Sequence, residues 1–458
     1  MKKTLSILLF ISLLSVKALS QTAPNFKSLR YDEDYSYLKN DSTLNWYDKM
    51  KYTPLSKEGN TFISYGGEAR FQYFYTKNET WGDDPKDNDG YVMSRFLFHT
   101  DFHAGKTFRL FAQLQSSLVD GRIQPSPVEE NPLDLHQAFV DVNLIASENT
   151  KFTFRIGRQE LMYGSQRLVS VRENPNNRQS FDAVRALFIK ENYKFETFYG
   201  HYVASKREIF DDHFNKNTKL WGTYFTFNHL PVVKNIDLYY LGLWKRKSAF
   251  NDGVGKELRH SVGVRLFSTK EDWKYDTEAV YQFGDFWAKN ISAWTASVNT
   301  SYKFSGLKLK PEVGLKTELV SGDGNMSDNK LQTFNPLFPK GAYFGFAALI
   351  GPSNLIDVHP SVSLELSKKV SFDVDYDLFW RQQSKDGLYA PNVALIYSDG
   401  TTNEKHIGNQ LSGTLNIKAN DFLNLRGEFT WFDSGNYLKE VGSGKDVVFA
   451  GFTAQLKF

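Results

Sequence analysis

The chain has no cysteine among its 458 residues, so neither a disulfide framework nor a thiolate metal site is available to it. Apart from a short amino-terminal stretch, nothing approaches the roughly 20 apolar residues of a membrane-spanning helix. Histidines are few and show no H-E-x-x-H or other zinc spacing, and no G-x-S-x-G nucleophile elbow occurs. Charge of one sign is also missing. There are 55 Lys and Arg against 52 Asp and Glu, and losing Lys2, Lys3 and Lys17 with a leader makes the two counts equal. Net charge therefore says nothing about a ligand, and nothing calls for a nucleic-acid partner.

What is present begins with that leader. Lys2 and Lys3 precede an apolar stretch over 5–16, and Ala18, Leu19 and Ser20 offer small residues at a cleavage site, so residues 1–20 read as a secretory signal peptide. Aromatic residues reach 16% while only 41% of the chain is hydrophobic, with negative mean hydropathy. That balance suits a barrel whose strands are each half polar and whose rims carry aromatic girdles. At the other end Val448, Ala450, Phe452, Ala454, Leu456 and Phe458 share one face of an alternating segment, and Thr453, Gln455 and Lys457 share the other. One segment of this kind equally describes a half-buried strand of a soluble sheet.

Loop lengths separate the two. Eighteen candidate strands alternate between short turns, such as 105–106, 191–192 and 368–369, and mostly long connections rich in Gly, Asn, Asp and Pro, such as 77–90, 163–180, 321–353 and 382–403. This sorting predicts an all-β fold, a transmembrane antiparallel β-barrel of about 18 strands, with turns in the periplasm and loops outside. Residues 61–458 form the expected barrel, and 21–60 a periplasmic segment that either extends from it or enters the lumen.

Parity then assigns faces. Leu309, Val313, Leu315 and Leu319 point to lipid while Lys310, Glu312, Lys316 and Glu318 point inward; Val374, Tyr376, Leu378 and Trp380 oppose Asp373, Asp375, Asp377 and Arg381. The inward set also holds Glu68, Arg70, Arg95, His99, Asp101, Arg109, Arg185, Arg259, Arg265, Arg426 and Glu428. Arginines on neighbouring strands make a ladder able to hand a carboxylate along, and interspersed acids hold the guanidinium groups in place. The plainer reading is that these pairs only brace a wide barrel.

The most distinctive segment is Gly157-Arg158-Gln159-Glu160-Leu161-Met162-Tyr163-Gly164 with Arg167-Leu168, leading into Arg178-Gln179-Ser180-Phe181-Asp182-Ala183-Val184-Arg185. Here the chain resembles the alginate-export family of outer-membrane porins. Gly66-Gly67-Glu68-Ala69-Arg70, Phe334-Asn335-Pro336-Leu337-Phe338-Pro339 and Asp386-Gly387-Leu388-Tyr389 extend the likeness over nearly all of the mature chain. The resemblance implies a monomeric barrel with an electropositive constriction for an anionic polyuronate. It makes Arg70, Arg158, Arg167 and Arg185 the leading contacts for substrate carboxylates, with Glu160 and Asp182 as orienting partners. Parity from Phe152, Phe154 and Ile156 puts Arg158 on the lipid face, so a bulge at Gly157 is expected to turn it inward.

The functional expectation is a non-enzymatic channel, without a cofactor, for anionic oligosaccharides, polysaccharides or organic acids. Arg70, Arg95, Arg109, Arg158, Glu160, Arg167, Asp182, Arg185, Arg265 and Arg381 are its candidate substrate contacts. Its surroundings are outer-membrane lipid and, in an export role, a periplasmic secretion partner. The competing readings are a surface adhesion barrel with a closed lumen and an outer-membrane hydrolase with scattered catalytic residues. The oxygen-rich run 321–329 has calcium-ligand chemistry but lacks EF-hand spacing, and reads as a solvated loop. The 33-residue loop 321–353, with Phe334, Leu337, Phe338 and Tyr343, is expected to fold over or into the pore mouth.

Overall fold

The computed structural model describes residues 24–458 except 399 and 401, so the expected signal peptide lies outside the described residues. Alternating sequences become eighteen antiparallel strands. They are β1 Thr61–Lys77, β2 Tyr91–Ala104, β3 Phe108–Asp120, β4 Asn131–Ala146, β5 Thr150–Gln159 and β6 Phe181–Lys190. Next come β7 Tyr193–Tyr202, β8 Thr218–Leu230, β9 Lys234–Phe250, β10 Gly253–Ser268, β11 Trp273–Phe286 and β12 Lys289–Lys303. The last six are β13 Glu312–Val320, β14 Leu355–Ser367, β15 Val370–Arg381, β16 His406–Lys418, β17 Leu423–Ser434 and β18 Val447–Lys457. Each pairs with its sequence neighbour, and β18 returns to β1 in register from Glu68↔Lys457 to Lys77↔Val448, closing the barrel.

Closure satisfies every strand edge, which is what a sheet in hydrocarbon requires. The two faces separate as parity demands. On β10, Arg259 and Ser261 are buried inside while Val262 and Val264 are exposed outside; on β13, Val313, Leu315 and Leu319 are exposed and Glu318 is buried. One boundary moves. Leu309 and Lys310 take positive φ in a turn before Pro311, so β13 begins at Glu312 and these two residues belong to no strand face. Exposed Tyr193, Trp273, Tyr302 and Phe304 near the short turns, and Trp287 at the opposite rim, occupy interfacial positions.

The lumen is filled from both ends. Residues 24–60 pack at the short-turn end, where Asn45 and Asp48 close helix α1, Trp46–Lys51, with a capping box and the part around Tyr31 enters the lumen. Arg30 donates to the carbonyls of Gly67 and Phe458, and Tyr31 sits edge-on against Phe111 and Phe139 of the inner wall. Tyr37, Trp46 and Leu55 of the same segment stay exposed at the short-turn end. From the opposite end, loops 160–180 and 321–354 fold inward and meet through a Val169↔Phe338 bridge. Phe334, Leu337, Phe338, Tyr343 and Phe344 are buried there. A long loop carrying that many aromatics gains by covering them, and the barrel wall supplies the cover.

Candidate functional site: the lumenal constriction

Loop 160–180 spans the barrel because two charged side chains, Arg167 and Glu173, tie it to different walls, while Arg178 braces it internally. Arg167 reaches β12 and loop 321–354, donating to Tyr343 Oη at 2.6 Å, Thr295 Oγ1 at 3.0 Å and Ser297 Oγ. Glu173 lies 2.9 Å from Arg95, which also donates to Glu68 at 2.8 Å. Arg178 binds Glu160 through two nitrogens, at 2.6 and 2.9 Å, and also pairs with Glu173. Asn176 pins the tip by donating to the carbonyls of Ser94, Leu118 and Glu129. Burial would raise the Glu173 carboxyl, but Arg178 and Arg95 hold it well below the usual range, and Glu160 and Glu173 keep the Arg178 guanidinium charged despite its burial.

The other predicted residues fall into three groups. Arg109 forks onto Asp101 at 2.7 Å and donates to the Tyr31 carbonyl, and Arg185 pairs with Glu196 and reaches Tyr31 Oη at 3.2 Å, so both brace the amino-terminal segment. Arg265 forks onto Asp276 at 2.7 Å and meets Asp237 at 3.0 Å on the far wall. Arg381 donates to the carbonyls of Glu404, Ser384 and Asp386 and lies over the Tyr437 ring, tying the outer loops together.

Arg158 and Asp182 are corrected by the structure. The ladders on both sides of β5 run through Gly157 without a break, from Phe139↔Gly157 to Ala138↔Arg158 and from Gly157↔Ala183 to Arg158↔Asp182. With no bulge, Arg158 keeps the outer parity and pairs with Asp182 at 2.9 Å, next to the Leu135 carbonyl. Glu160 accordingly orients Arg178 and His136, the latter at 2.8 Å, rather than Arg158. The 321–329 run is solvated only in part: Asn325, Ser327 and Asn329 are exposed, but Asp323 is fully buried, and its carboxylate accepts from the Asn325 and Gln332 amides.

Sequence reasoning left Arg178, Glu173 and Tyr31 out of the site. Arg178 stood inside the distinctive motif and carried a signal; Glu173 and Tyr31 lie in aperiodic segments where parity has no grip.

Arg70 is different from the rest. Its guanidinium donates to the carbonyls of Glu173 at 2.7 Å and Pro175 at 2.8 Å, and it forms no ion pair among the described residues. It stands at the inner end of a cavity of about 550 Å³ that opens among the short turns of β14 to β18. Lys368, Lys369, Lys418 and Arg426 line this vestibule with it, against only Glu173 and Glu365.

The alginate export family model matches residues 62–448. This chain belongs to that family. No curated protein matches it in sequence. Among solved structures, OccK2 (OpdF) of Pseudomonas aeruginosa in complex with glucuronate is similar at 11% identity and TM-score 0.56, covering 86% of this chain and 98% of that one. OccD3 (OpdP) of the same organism gives 12% identity and TM-score 0.56, covering 90% and 93%. OccAB2 of Acinetobacter baumannii gives 12% and 0.54, covering 86% and 98%. These likenesses are of fold, and with the family match they make this member an outer-membrane β-barrel of porin type.

Proposed function

We propose that this family member is a channel for anionic saccharides or related carboxylates in the outer membrane of a Gram-negative bacterium. The observation that carries the reading is the vestibule: five basic side chains face two acidic ones, and Arg70 at its inner end pairs with no carboxylate among the described residues. A guanidinium that donates to carbonyl oxygens is not neutralised by an adjacent carboxylate, so Arg70 adds to the positive potential that draws anions into the vestibule. Glucuronate, the ligand of the OccK2 structure, is of that chemical class. Arg95, Arg109, Arg167, Arg185, Arg265 and Arg381, each already partnered, act mainly by shaping the path and fixing the loops that narrow it. Residues 1–20 serve as the export signal, 21–60 as the periplasmic-side segment and 61–458 as the barrel, working as a monomer.

Single-channel recording in a planar bilayer tests this, with a salt gradient and added oligouronate. Anion preference, block by oligouronate, and loss of both on Arg70→Gln combined with Lys369→Gln are expected; cation preference, or block that survives the double substitution, counts against it. The buried aromatics of loop 321–354 favour a second reading, a closed binding or adhesion barrel. Persistent absence of conductance, even after that loop is shortened, would select it.

A further inference from the structure

A second cluster lies away from the constriction, on the inner wall of β14 and β15 below the loop-covered rim. Asp357 and His359 are two apart on β14, and Asp375 and Asp377 are two apart on β15, so all four share the lumenal face. The ladder between these strands passes from Val358↔Leu378 to Ser361↔Asp375, skipping the stretch where Pro360 has no N–H to give. There His359 Nε2 lies 3.2 Å from Asp375 Oδ1, while Nδ1 faces Asp377 Oδ1. Asp377 Oδ2 accepts from Gln410 at 2.9 Å.

Asp357 is the anomaly. It is completely buried, and neither carboxylate oxygen meets a hydrogen-bond donor among the described residues. An isolated buried carboxylate is strongly unfavourable unless something positive compensates it. The protein's own cations are spoken for. Lys316 bonds Glu318 at 3.1 Å and lies over the Tyr343 and Phe344 rings, and Arg167 is shared between Glu278 and Glu318. Lys340 likewise lies over the Tyr343 ring, so Asp357, Asp375 and Asp377 share only Lys316 and His359, and a divalent cation in place of the imidazolium proton would supply the charge that Asp357 lacks.

We infer that Asp357, His359 and Asp377 form a binding site for a divalent transition-metal ion. One ligand atom from each already lies within 4.8 Å of the others. Modest side-chain rotation would bring them to the spacing of a shell with metal–ligand distances of about 2.0–2.2 Å. Asp375 plays the part usual behind a metal-bound histidine, accepting from Nε2–H so that the Nδ1 lone pair is presented to the ion. An imidazole beside two carboxylates favours Zn²⁺ or Mn²⁺ over Ca²⁺. The ion would also bear on the pore, because Gln410 donates both to Asp377 and to the Phe344 carbonyl of the in-folded loop, at 2.6 Å.

The full-length barrel in detergent, stripped with chelator, is titrated with Zn²⁺ by calorimetry and with Mn²⁺ by electron paramagnetic resonance. Saturation at one ion per chain is expected, with Asp357→Asn and Asp377→Asn abolishing it and Asp375→Asn weakening affinity by about 10–100-fold. Heat-modifiable gel mobility reports whether each variant is folded. Spin-echo modulation from a directly bound imidazole nitrogen, expected for Mn²⁺ in the unsubstituted protein, needs no variant. Lack of saturable binding, lack of nitrogen modulation, or undiminished affinity in folded Asp357→Asn would overturn the assignment, leaving His359 as an imidazolium bridging two aspartates.

Discussion

At the scale of single residues, Arg158 and Arg178 invert what their places in one motif suggest. Arg158 pairs with Asp182 on the outer parity of the wall near the rim, away from the lumen. Arg158→Ala should therefore leave ion selectivity almost unchanged, as reversal potentials will report. Arg178 is buried between Glu160 and Glu173, and removing one member of such a group costs about 3–5 kcal/mol because the others stay behind unpaired. Arg178→Met should loosen loop 160–180, seen as faster proteolysis of that loop and noisier, larger conductance. Lys51 gives a pH dependence. It lies between the Tyr35 and Tyr47 rings and donates to the Tyr65 carbonyl; burial, reinforced by Arg30 and opposed by Glu33 and Asp101, pushes it down to about 7. The released segment holds its proton up to the ordinary lysine range, so between about pH 7 and 10 the docked state binds fewer protons and gains stability as pH rises. Below pH 7 the lysine must be buried charged, and docking is weakest. Conductance should fall from pH 6 to pH 9, and Lys51→Met should flatten that change.

Among the elements, the in-folded loops and residues 24–60 decide how open the barrel is. Loop 321–354 lays Phe334, Leu337, Phe338 and Tyr343 against the wall and against loop 160–180, so its removal uncovers apolar surface on both. Replacing 324–350 by a short polar linker should raise single-channel conductance several-fold and lower thermal stability. An unchanged conductance would mean the path runs elsewhere. That this loop is not solvated was legible in its aromatics. Its partners were not, because Tyr343 finds Arg167 from a segment 176 residues away, and no local pattern encodes that meeting.

For the whole molecule, stability rests on a lipid-facing band around a polar, ion-paired interior. The partition can be tested at one position per face. Leu315→Lys on the lipid face should destabilise the barrel by about 2–4 kcal/mol in lipid, whereas Asn416→Lys on the lumenal face, beside Asp373, should cost less, with urea unfolding in vesicles as the measure. Interior charges behave differently, since each guanidinium there sits among acceptors that closure of the sheet brings together.

Strand number, parity and the sorting of turns from loops were determined by the sequence, because side-chain period 2 and the length of a bilayer crossing are local constraints that each segment must satisfy alone. The motif around Gly157 likewise marked the right region. Tertiary structure decided which way Arg158 faces, which carboxylate each arginine meets, that Tyr31 reaches the inner wall, and that Asp357 is left without a donor among the described residues. These depend on ladder continuity at Gly157 and on contacts across the lumen between segments far apart in the chain, where hydrogen-bond geometry selects partners that no periodicity records.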